Sequence, residues 1–531
     1  MRCHFINGKV FTADPQRLWA EAFTVEDDTV TAVGSTEAIL TGAGSEESVT
    51  DLSGKTVIPG LIDSHIHPAM TAEMKTFITC LPPHVHSIGD IVKQVARRRA
   101  LQGPAQWVRG WGLDDGKLKE RRLPDRHDLD RGAADVPVYI TRNCEHVAMC
   151  NTAALKCCGI TAETPDPDGG AIGREPDGTP NGILYETAKD LADRFVPRMK
   201  LEDNVTELLR LGELLAAEGV VAVTDMGANG ADVWRIYKEA ERRGFAQRAA
   251  LYYFWEYYWK DPAFRLTGEM TDPKSRVRAA GLKLMSDGSI SGHTAWIKEP
   301  YLGTEDCGLS VSSDALLDTA VEFCKANACQ LAVHAMGARA IRRVVSRVAR
   351  EENWMRTAAP YARIEHVTEP ESESIDQMAE KRIAVATQPL FFFSEIESYL
   401  KNYGLPRTQK AYPIRTLLER GVTVALSTDA PANAWDEPTD PFYTMQAAVT
   451  RTAYDGTPCG AQQAVDVETA VALYTRESAI ISGFDRLGQL APGYEASFVV
   501  LDRDLFTVPP FEIGKVRPVH TYIAGKEVWR A

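Results

Sequence analysis

Two histidines one residue apart close an apolar run near the start of the chain. The run reads VIPGLIDSHIHP over residues 57–68. Because alternate side chains of a strand share a face, His65 and His67 point the same way from its carboxyl end. Imidazoles in that position form the open kind of metal site that hydrolytic enzymes use. Two histidines at this spacing also close strands as ordinary polar residues, so a metal site needs further ligands from other parts of the chain.

Four more ligand-type side chains occur in later apolar runs. Lys283 lies inside RAAGLKLMS, His334 ends QLAVH, His366 ends ARIEH and Asp429 ends VTVALSTD. Simpler roles remain open at this point: Lys283 pairing with Asp287, a histidine bonding to a backbone carbonyl, or Asp429 capping the next helix. Each run is nevertheless followed by a helix-like segment, an order that chance does not readily produce. The shared placement predicts that these side chains meet at one site.

The runs belong to a regular alternation of strands and helices. Eight apolar, strand-like runs occur, and they contain in order His65, Val221, Leu251, Lys283, His334, His366, Val385 and Asp429. Segments with helical periodicity separate them. Such alternation indicates a parallel sheet covered by helices, and eight units close into a barrel with its active site at the carboxyl ends of the strands. The sequence therefore predicts an α/β protein with a (β/α)8 TIM-like barrel over residues 58–484.

Two parts of the chain lie outside this alternation. Residues 1–57 and 485–531 contain short alternating runs with glycine-bearing turns, which predict a small composite β-sandwich formed by both ends. Residues 72–200 are rich in charged loops and include PDPDGGAIGREPDGTPNG. A segment of this size after the first barrel strand predicts an inserted subdomain that covers the barrel mouth.

The motifs VIPGLIDSHIHP, GLKLMSDGS, VHAMGARAI, RIEHV and STDAP occur in the order found in the amidohydrolase superfamily. They most resemble its amidohydrolase-3 branch of N-acyl and N-substituted formamide hydrolases. The resemblance implies six metal ligands: His65, His67, Lys283, His334, His366 and Asp429. It also implies two ions, with zinc as the default for nitrogen and oxygen ligands. One ion would be held by His65, His67 and Asp429, and the other by His334 and His366.

Lys283 would bridge the two ions after reacting with carbon dioxide. An ammonium group would repel two divalent cations, whereas a lysine carbamate is an anion with two oxygens to share. Burial and nearby cations lower a lysine pKa and supply the neutral amine that this reaction needs. If Lys283 is not carboxylated, the site holds one metal.

The chemistry implied is hydrolysis of a carbon–nitrogen amide bond. A divalent ion lowers the pKa of its bound water to about 7, so metal-bound hydroxide is available to attack the carbonyl. Asp429 would take the proton from that water and return it to the leaving nitrogen. His146, in NCEHVAMCNTAAL, would donate to the substrate carbonyl. Trp111, His293 and Trp296 are candidate contacts for an apolar or aromatic substrate.

Two positions depart from the family pattern, and two other functions stay open. Ala338 stands where relatives usually have aspartate, and His293 where they often have arginine. A mononuclear-metal deaminase of a nucleobase-like heterocycle is one alternative; it would need a glutamate four residues after His334, the position of Ala338. A non-catalytic binding homologue is the other, although such proteins typically lose ligands and all six positions are kept here.

The composition fits a small-molecule enzyme of the cytoplasm. The chain has 531 residues, 44% of them hydrophobic, and a net charge of −14. This acidity argues against a nucleic-acid partner, which requires a basic surface. The chain has no signal-peptide pattern at its start and no run of about 18 apolar residues, so we expect no membrane partner. We expect reduced cysteines and a small-molecule substrate, and leave a homodimer open.

Overall fold

The computed structural model describes residues 2–42, 44, 47–103, 106–142, 147–167, 170–197, 199–228 and 233–531. The chain divides into two compact units. The first comprises Met1–Ala69, Leu208–Asn433 and Thr439–Ala531. The second comprises Met70–Glu207 and Ala434–Pro438.

Eight parallel strands form the central sheet of the first unit within the described residues. They are β1 (Leu61–Ile66), β2 (Val220–Ala228), β3 (Arg248–Phe254), β4 (Val277–Met285), β5 (Gln330–Ala335), β6 (Ala362–His366), β7 (Ala384–Thr387) and β8 (Val424–Leu426). Each strand pairs with the next one along the chain. The predicted (β/α)8 barrel is confirmed, and every predicted strand run overlaps one of these strands.

The barrel strands are mostly apolar and are buried on both faces, because both faces are covered. Every residue of β1, β5, β6, β7 and β8 is buried. A sheet with helices outside and side chains inside offers no face to water, so its strands read as continuous apolar runs rather than alternating ones. This pattern is the reason that the runs stand out in the sequence.

Helices follow most barrel strands where the periodicity predicts them. Those expected from the sequence span Leu201–Ala217, Val233–Arg242, Asp314–Asn327, Ala338–Val348, Ser372–Lys381 and Ile414–Glu419. Shorter or later helices span Trp255–Tyr258, Leu390–Ser394, Ile396–Asn402, Leu405–Thr408, Pro441–Thr450, Val467–Tyr474 and Arg476–Ser482. The alternative role of Asp429 as a helix cap is wrong, because the next helix begins at Pro441 and is capped by Asp440.

Both ends of the chain contribute strands to the first unit. A four-stranded sheet has the order Thr29–Gly34, Ala22–Glu26, Arg2–Ile6 and Ser48–Asp51. A six-stranded sheet, counted over the described residues, has the order Lys526–Arg530, Pro518–Ile523, Phe498–Leu501, Thr56–Pro59, Lys9–Phe11 and Trp19–Ala20. The rings of Phe5 and Phe23 pack against that of Phe498, so the two sheets share one apolar core.

The second unit has a sheet and a core of its own. Its described strands follow the order Gly170–Arg174, Pro180–Glu186, Val147–Cys150, Val138–Arg142, Val108–Leu113 and Ile78–Thr79. Its main helices are Ile88–Leu101, Arg126–Asp130 and Thr152–Cys158. Among the described residues of both units, no helix has the length and apolar character that crossing a membrane requires.

Candidate metal centre

Backbone hydrogen bonds join the end of β1 to the segment after β8. The Asp429 amide donates to the His65 carbonyl at 2.8 Å, and the His67 amide donates to the Ala430 carbonyl at 2.9 Å. Asp429 has a φ of +57°, a left-handed conformation that is uncommon outside glycine. These contacts bring the Asp429 carboxylate to the two histidines: its Oδ1 lies 3.0 Å from His67 Nε2 and 3.4 Å from His65 Nε2.

His366, the last residue of β6, completes a buried cluster. Its Nδ1 lies 3.8 Å from Asp429 Oδ2. One ligand atom from each of His65, His366 and Asp429 lies within 4.8 Å of the other two, and all three residues are buried. Burial is the main cause of a pKa well below the usual value for both histidines. Both imidazoles are therefore neutral at physiological pH, which is the form that binds a metal.

His334 lies beside this cluster but makes a different contact. Its ring centroid is 4.4 Å from that of His366. Its Nε2 lies 3.0 Å from the Gly288 carbonyl oxygen, toward which a ring nitrogen can only donate. Burial first, and the Lys283 charge second, lower the pKa of His334 to about 3. The simple role of a histidine bonded to a backbone carbonyl is therefore present here, with Nδ1 left for another partner.

Lys283 lies within β4 and is 2% exposed. Its Nζ is 3.4 Å from His65 Nε2. Burial lowers the pKa of Lys283, against the opposing effect of the Glu365 and Asp429 carboxylates. The alternative pairing with Asp287 has no support in the described contacts, since the Asp287 carboxylate accepts three backbone N–H groups instead, from Trp296, Met336 and Gly337.

Residues that the motifs did not single out hold the ligands in place. Asp63, in β1, accepts from Thr428 Oγ1 at 2.5 Å and from the Thr428 amide at 3.2 Å, which ties β1 to the end of β8. Burial raises the pKa of Asp63 to about 7. Glu365, in β6, accepts a hydrogen bond from His65 Nδ1 at 2.5 Å. The sequence carries a signal for both acids, because an ionisable residue inside an apolar strand needs a partner.

An aromatic residue forms an apolar wall next to the cluster. Phe391 lies in the helix Leu390–Ser394, directly after β7, and its ring centroid is 5.7 Å from that of His366. It is 7% exposed. The PLFFF segment, residues 389–393, therefore brings an aromatic side chain against a ligand-type histidine.

The predicted substrate contacts lie in different places. His293 is half-buried after β4, with its ring centroid 3.9 Å from that of Tyr301 and its Nε2 3.5 Å from Asp306. Trp296 follows in the same segment. Trp111 belongs to the second unit, where it is buried in an apolar cluster with Leu81 and Ala434. His146 lies outside the described residues, so its role stays a prediction.

The side chains suit a divalent cation. Asp429 Oδ1 is buried and, in the described structure, accepts no hydrogen bond. A buried carboxylate oxygen without a partner is costly, and a cation shared with neutral imidazoles removes that cost. Nitrogen and oxygen donors of this kind are the usual ligands of zinc and of related transition metals. Such donors at the carboxyl ends of barrel strands are typical of the class of metal-dependent hydrolases.

Comparison with known proteins agrees with this class. A model of the amidohydrolase family, in its amidohydrolase-3 branch, matches residues 48–529. The chain belongs to the amidohydrolase family and is a hydrolase.

Similar proteins align along almost the whole chain. The YtcJ protein of Bacillus subtilis (strain 168) is 29% identical, over 100% of this chain and 99% of YtcJ. The N-substituted formamide deformylase of Arthrobacter pascens is 28% identical, over 98% of this chain and 97% of that enzyme. The crystal structure of an uncharacterized metal-dependent hydrolase from Pyrococcus horikoshii OT3 covers 96% of this chain and 99% of its own, with 26% identity and a TM-score of 0.76.

Proposed function

We propose that this protein hydrolyses a carbon–nitrogen amide bond of a small molecule: an N-acyl, N-formyl or cyclic amide. The observation that carries the proposal is the buried cluster of His65, His366 and Asp429 at the carboxyl ends of the barrel strands. The similarity to an enzyme that removes formyl groups from N-substituted formamides supports the type of bond.

The proposed metal ligands are His65, His67, Lys283, His334, His366 and Asp429. These side chains would hold two zinc ions if Lys283 is carboxylated, and a single ion if Lys283 keeps its amine. A bound divalent cation supplies hydroxide at neutral pH and polarises a carbonyl group. The buried position of Lys283 supports the carbamate, because the same burial that lowers its pKa also favours the neutral amine that carbon dioxide requires.

Asp429 is the proposed proton carrier. Its carboxylate lies at the proposed metal site, with Oδ1 3.0 Å from His67 Nε2 and 3.4 Å from His65 Nε2, so it is placed to receive a proton from a water molecule bound there. Transfer of that proton to the departing nitrogen makes an amine a good leaving group. Asp63 and the backbone bond to His65 hold Asp429 in position during both transfers.

The substrate that we propose has an apolar or aromatic group. Phe391 supports this choice, because it places an aromatic ring beside the ligand histidine His366. His146, His293, Trp296 and Trp111 stay proposed substrate contacts. We further propose that residues 72–200 cover the barrel mouth, that residues 1–57 and 485–531 act as one domain beside the barrel of 58–484, and that the protein needs no nucleic-acid or membrane partner.

A hydrolysis screen with metal-reconstituted protein tests the proposal. The substrates are matched N-formyl, N-acyl and cyclic amides with aromatic or charged amine groups, and adenine- and cytosine-like heterocycles represent the deaminase alternative. We expect hydrolysis of an amide with an aromatic group, and two metal equivalents per chain. Ammonia release from a heterocycle with one equivalent would favour the deaminase, and a protein that binds metal without turnover would favour a binding homologue.

A further inference from the structure

A buried ion pair occupies the interior of β6. Arg363 Nε donates to Glu365 Oε1 at 2.6 Å, and Arg363 Nη2 donates to Glu365 Oε2 at 3.0 Å. Both side chains are 0% exposed. Arg363 Nη2 also donates to the Ser64 carbonyl at 2.7 Å, so the guanidinium is attached to the backbone of β1 immediately before His65.

Among the described residues, the carboxylate of this pair accepts one further hydrogen bond, from a ligand-type histidine. Glu365 Oε2 lies 2.5 Å from His65 Nδ1. A carboxylate already held by an arginine is an acceptor, so the proton of the bond belongs to Nδ1. The other ring nitrogen, Nε2, then has a free lone pair. It is the atom that lies 3.4 Å from Asp429 Oδ1 and 3.4 Å from Lys283 Nζ.

Stability alone does not account for this pair. A buried ion pair usually contributes little net stability compared with well-packed apolar residues, because both charges must leave water. The ion pair here joins two strands and reaches the ring nitrogen of His65 that faces away from the cluster. Carboxylates in that position fix the tautomer and the ring orientation of a metal-binding histidine and raise its basicity.

We propose that Glu365, held by Arg363, is a positioning residue that keeps the proton of His65 on Nδ1 and directs Nε2 to the metal. The inference rests on the proposed function, since it requires that His65 is a ligand. In this proposal β6 has two roles: it carries His366, and through Glu365 it fixes the geometry of His65 on β1.

Two double variants separate the hydrogen bond from the charge. Arg363→Met with Glu365→Gln removes both charges but keeps an amide oxygen for the Nδ1 proton. Arg363→Met with Glu365→Leu removes the acceptor as well. Zinc affinity is measured by competition with a chromogenic chelator, and the visible spectrum of the cobalt-substituted protein reports the ligand geometry. We expect the leucine variant to bind zinc about 10- to 100-fold more weakly than the wild type, and the glutamine variant to fall between them.

Gln247→Leu is the matched control for a general loss of stability. Gln247 is fully buried just before β3 and donates to the carbonyls of Gly212 and Val220, so its loss removes buried hydrogen bonds without touching a ligand-type residue. We expect Gln247→Leu to lower the thermal unfolding midpoint while zinc affinity and the cobalt spectrum stay as in the wild type. If the double variants do not fold, Glu365→Gln alone is compared with Gln247→Leu by the same two measurements.

The outcomes are distinct. Wild-type zinc affinity in the leucine variant overturns the inference, and so does an equal loss of affinity in the leucine, glutamine and Gln247→Leu variants. If the two double variants lose zinc affinity equally while Gln247→Leu keeps that of the wild type, the role of the hydrogen bond is overturned. A wild-type protein that binds neither zinc nor cobalt overturns the proposed function, and the inference with it.

Discussion

Gly227 lies against a proposed metal ligand, and an added methyl group there tests the site directly. Gly227 is near the end of β2, and a Cβ at this position would lie 2.5 Å from His67 Nδ1. The φ of Gly227 is not in the left-handed region, so alanine suits the backbone. The contact with His67 is therefore the main consequence of Gly227→Ala.

The size of the effect follows from the distance. The imidazole of His67 must move by about 0.9 Å to restore an ordinary contact of 3.4 Å. The strand cannot easily withdraw instead, because the Gly227 amide donates to the buried Asp225 carboxylate at 2.9 Å. Misplacement of about 1 Å costs on the order of 100-fold in rate, which corresponds to about 2.7 kcal/mol. Fold stability should change by less than about 1 kcal/mol, since alanine in a strand is favoured over glycine.

The assay compares three proteins. Wild type, Gly227→Ala and the control Gly34→Ala are measured for kcat/KM on the best amide from the screen, for zinc content after dialysis, and for unfolding in urea. Gly34 ends a strand of the four-stranded sheet, and a Cβ there would lie 3.8 Å from Ala38, an ordinary contact. We expect the control to match the wild type. If Gly227→Ala keeps kcat/KM and zinc content within twofold of the wild type, the assignment of His67 to the site is refuted.

Four further outcomes are expected. Asp429→Asn should lower kcat by about 10²- to 10⁴-fold if Asp429 carries the proton, and unchanged activity would remove that role. Dialysis against a chelator should abolish hydrolysis, and added zinc should restore it; activity that survives chelation would contradict a metal enzyme. Lys283→Ala should reduce the bound metal from two equivalents to one by elemental analysis, and bicarbonate should speed reconstitution of the wild type but not of the variant. Arg451→Met should lower the free energy of unfolding by about 3 kcal/mol in urea titrations, because the buried guanidinium donates to the carbonyls of Ala411, Tyr412 and Cys459.

The barrel could be predicted because its strands give a clear signal in the sequence. Strands that are buried on both faces appear as continuous apolar runs, and a polar residue at the end of such a run is conspicuous. His65, His366 and Asp429 are all of this kind, and the structure brings them within 4.8 Å of one another. The direction of a parallel strand is enough to place its last residue at the rim, so this part of the prediction needed no side-chain detail.

Glu365 could not be assigned from the same pattern. Strict alternation places Glu365 and the adjacent His366 on opposite faces of β6. His366 has a φ of +74°, so the strand turns at that residue. Glu365 therefore reaches the imidazole of His65, while His366 lies beside the carboxylate of Asp429. A single sequence gives no sign that a histidine adopts a left-handed backbone conformation. The sequence left open a bond from a histidine to a backbone carbonyl, but it could not name Gly288 as the partner of His334, since that contact depends on the path of a loop.

The strands of the segment after β1 give a weaker signal in the sequence than those of the barrel. Several of its strands are short and are separated by turns rich in glycine and proline, so their alternation is brief. Val147–Cys150 and Gly170–Arg174 have four and five residues. Short strands of this kind are specified by their antiparallel partners more than by their own residues. The sequence therefore indicated an independent segment without revealing its sheet.

The pairing of Thr56–Pro59 with Phe498–Leu501 affects how the protein is made. The earlier strand leads directly into β1, yet its neighbour leaves the ribosome only about 440 residues later. At roughly 5–20 residues per second, the nascent chain waits on the order of a minute with this strand edge unpaired. Open strand edges invite association between chains. A chain truncated before residue 498 should therefore aggregate. It should not fold into a working barrel that merely lacks the last strands of the six-stranded sheet.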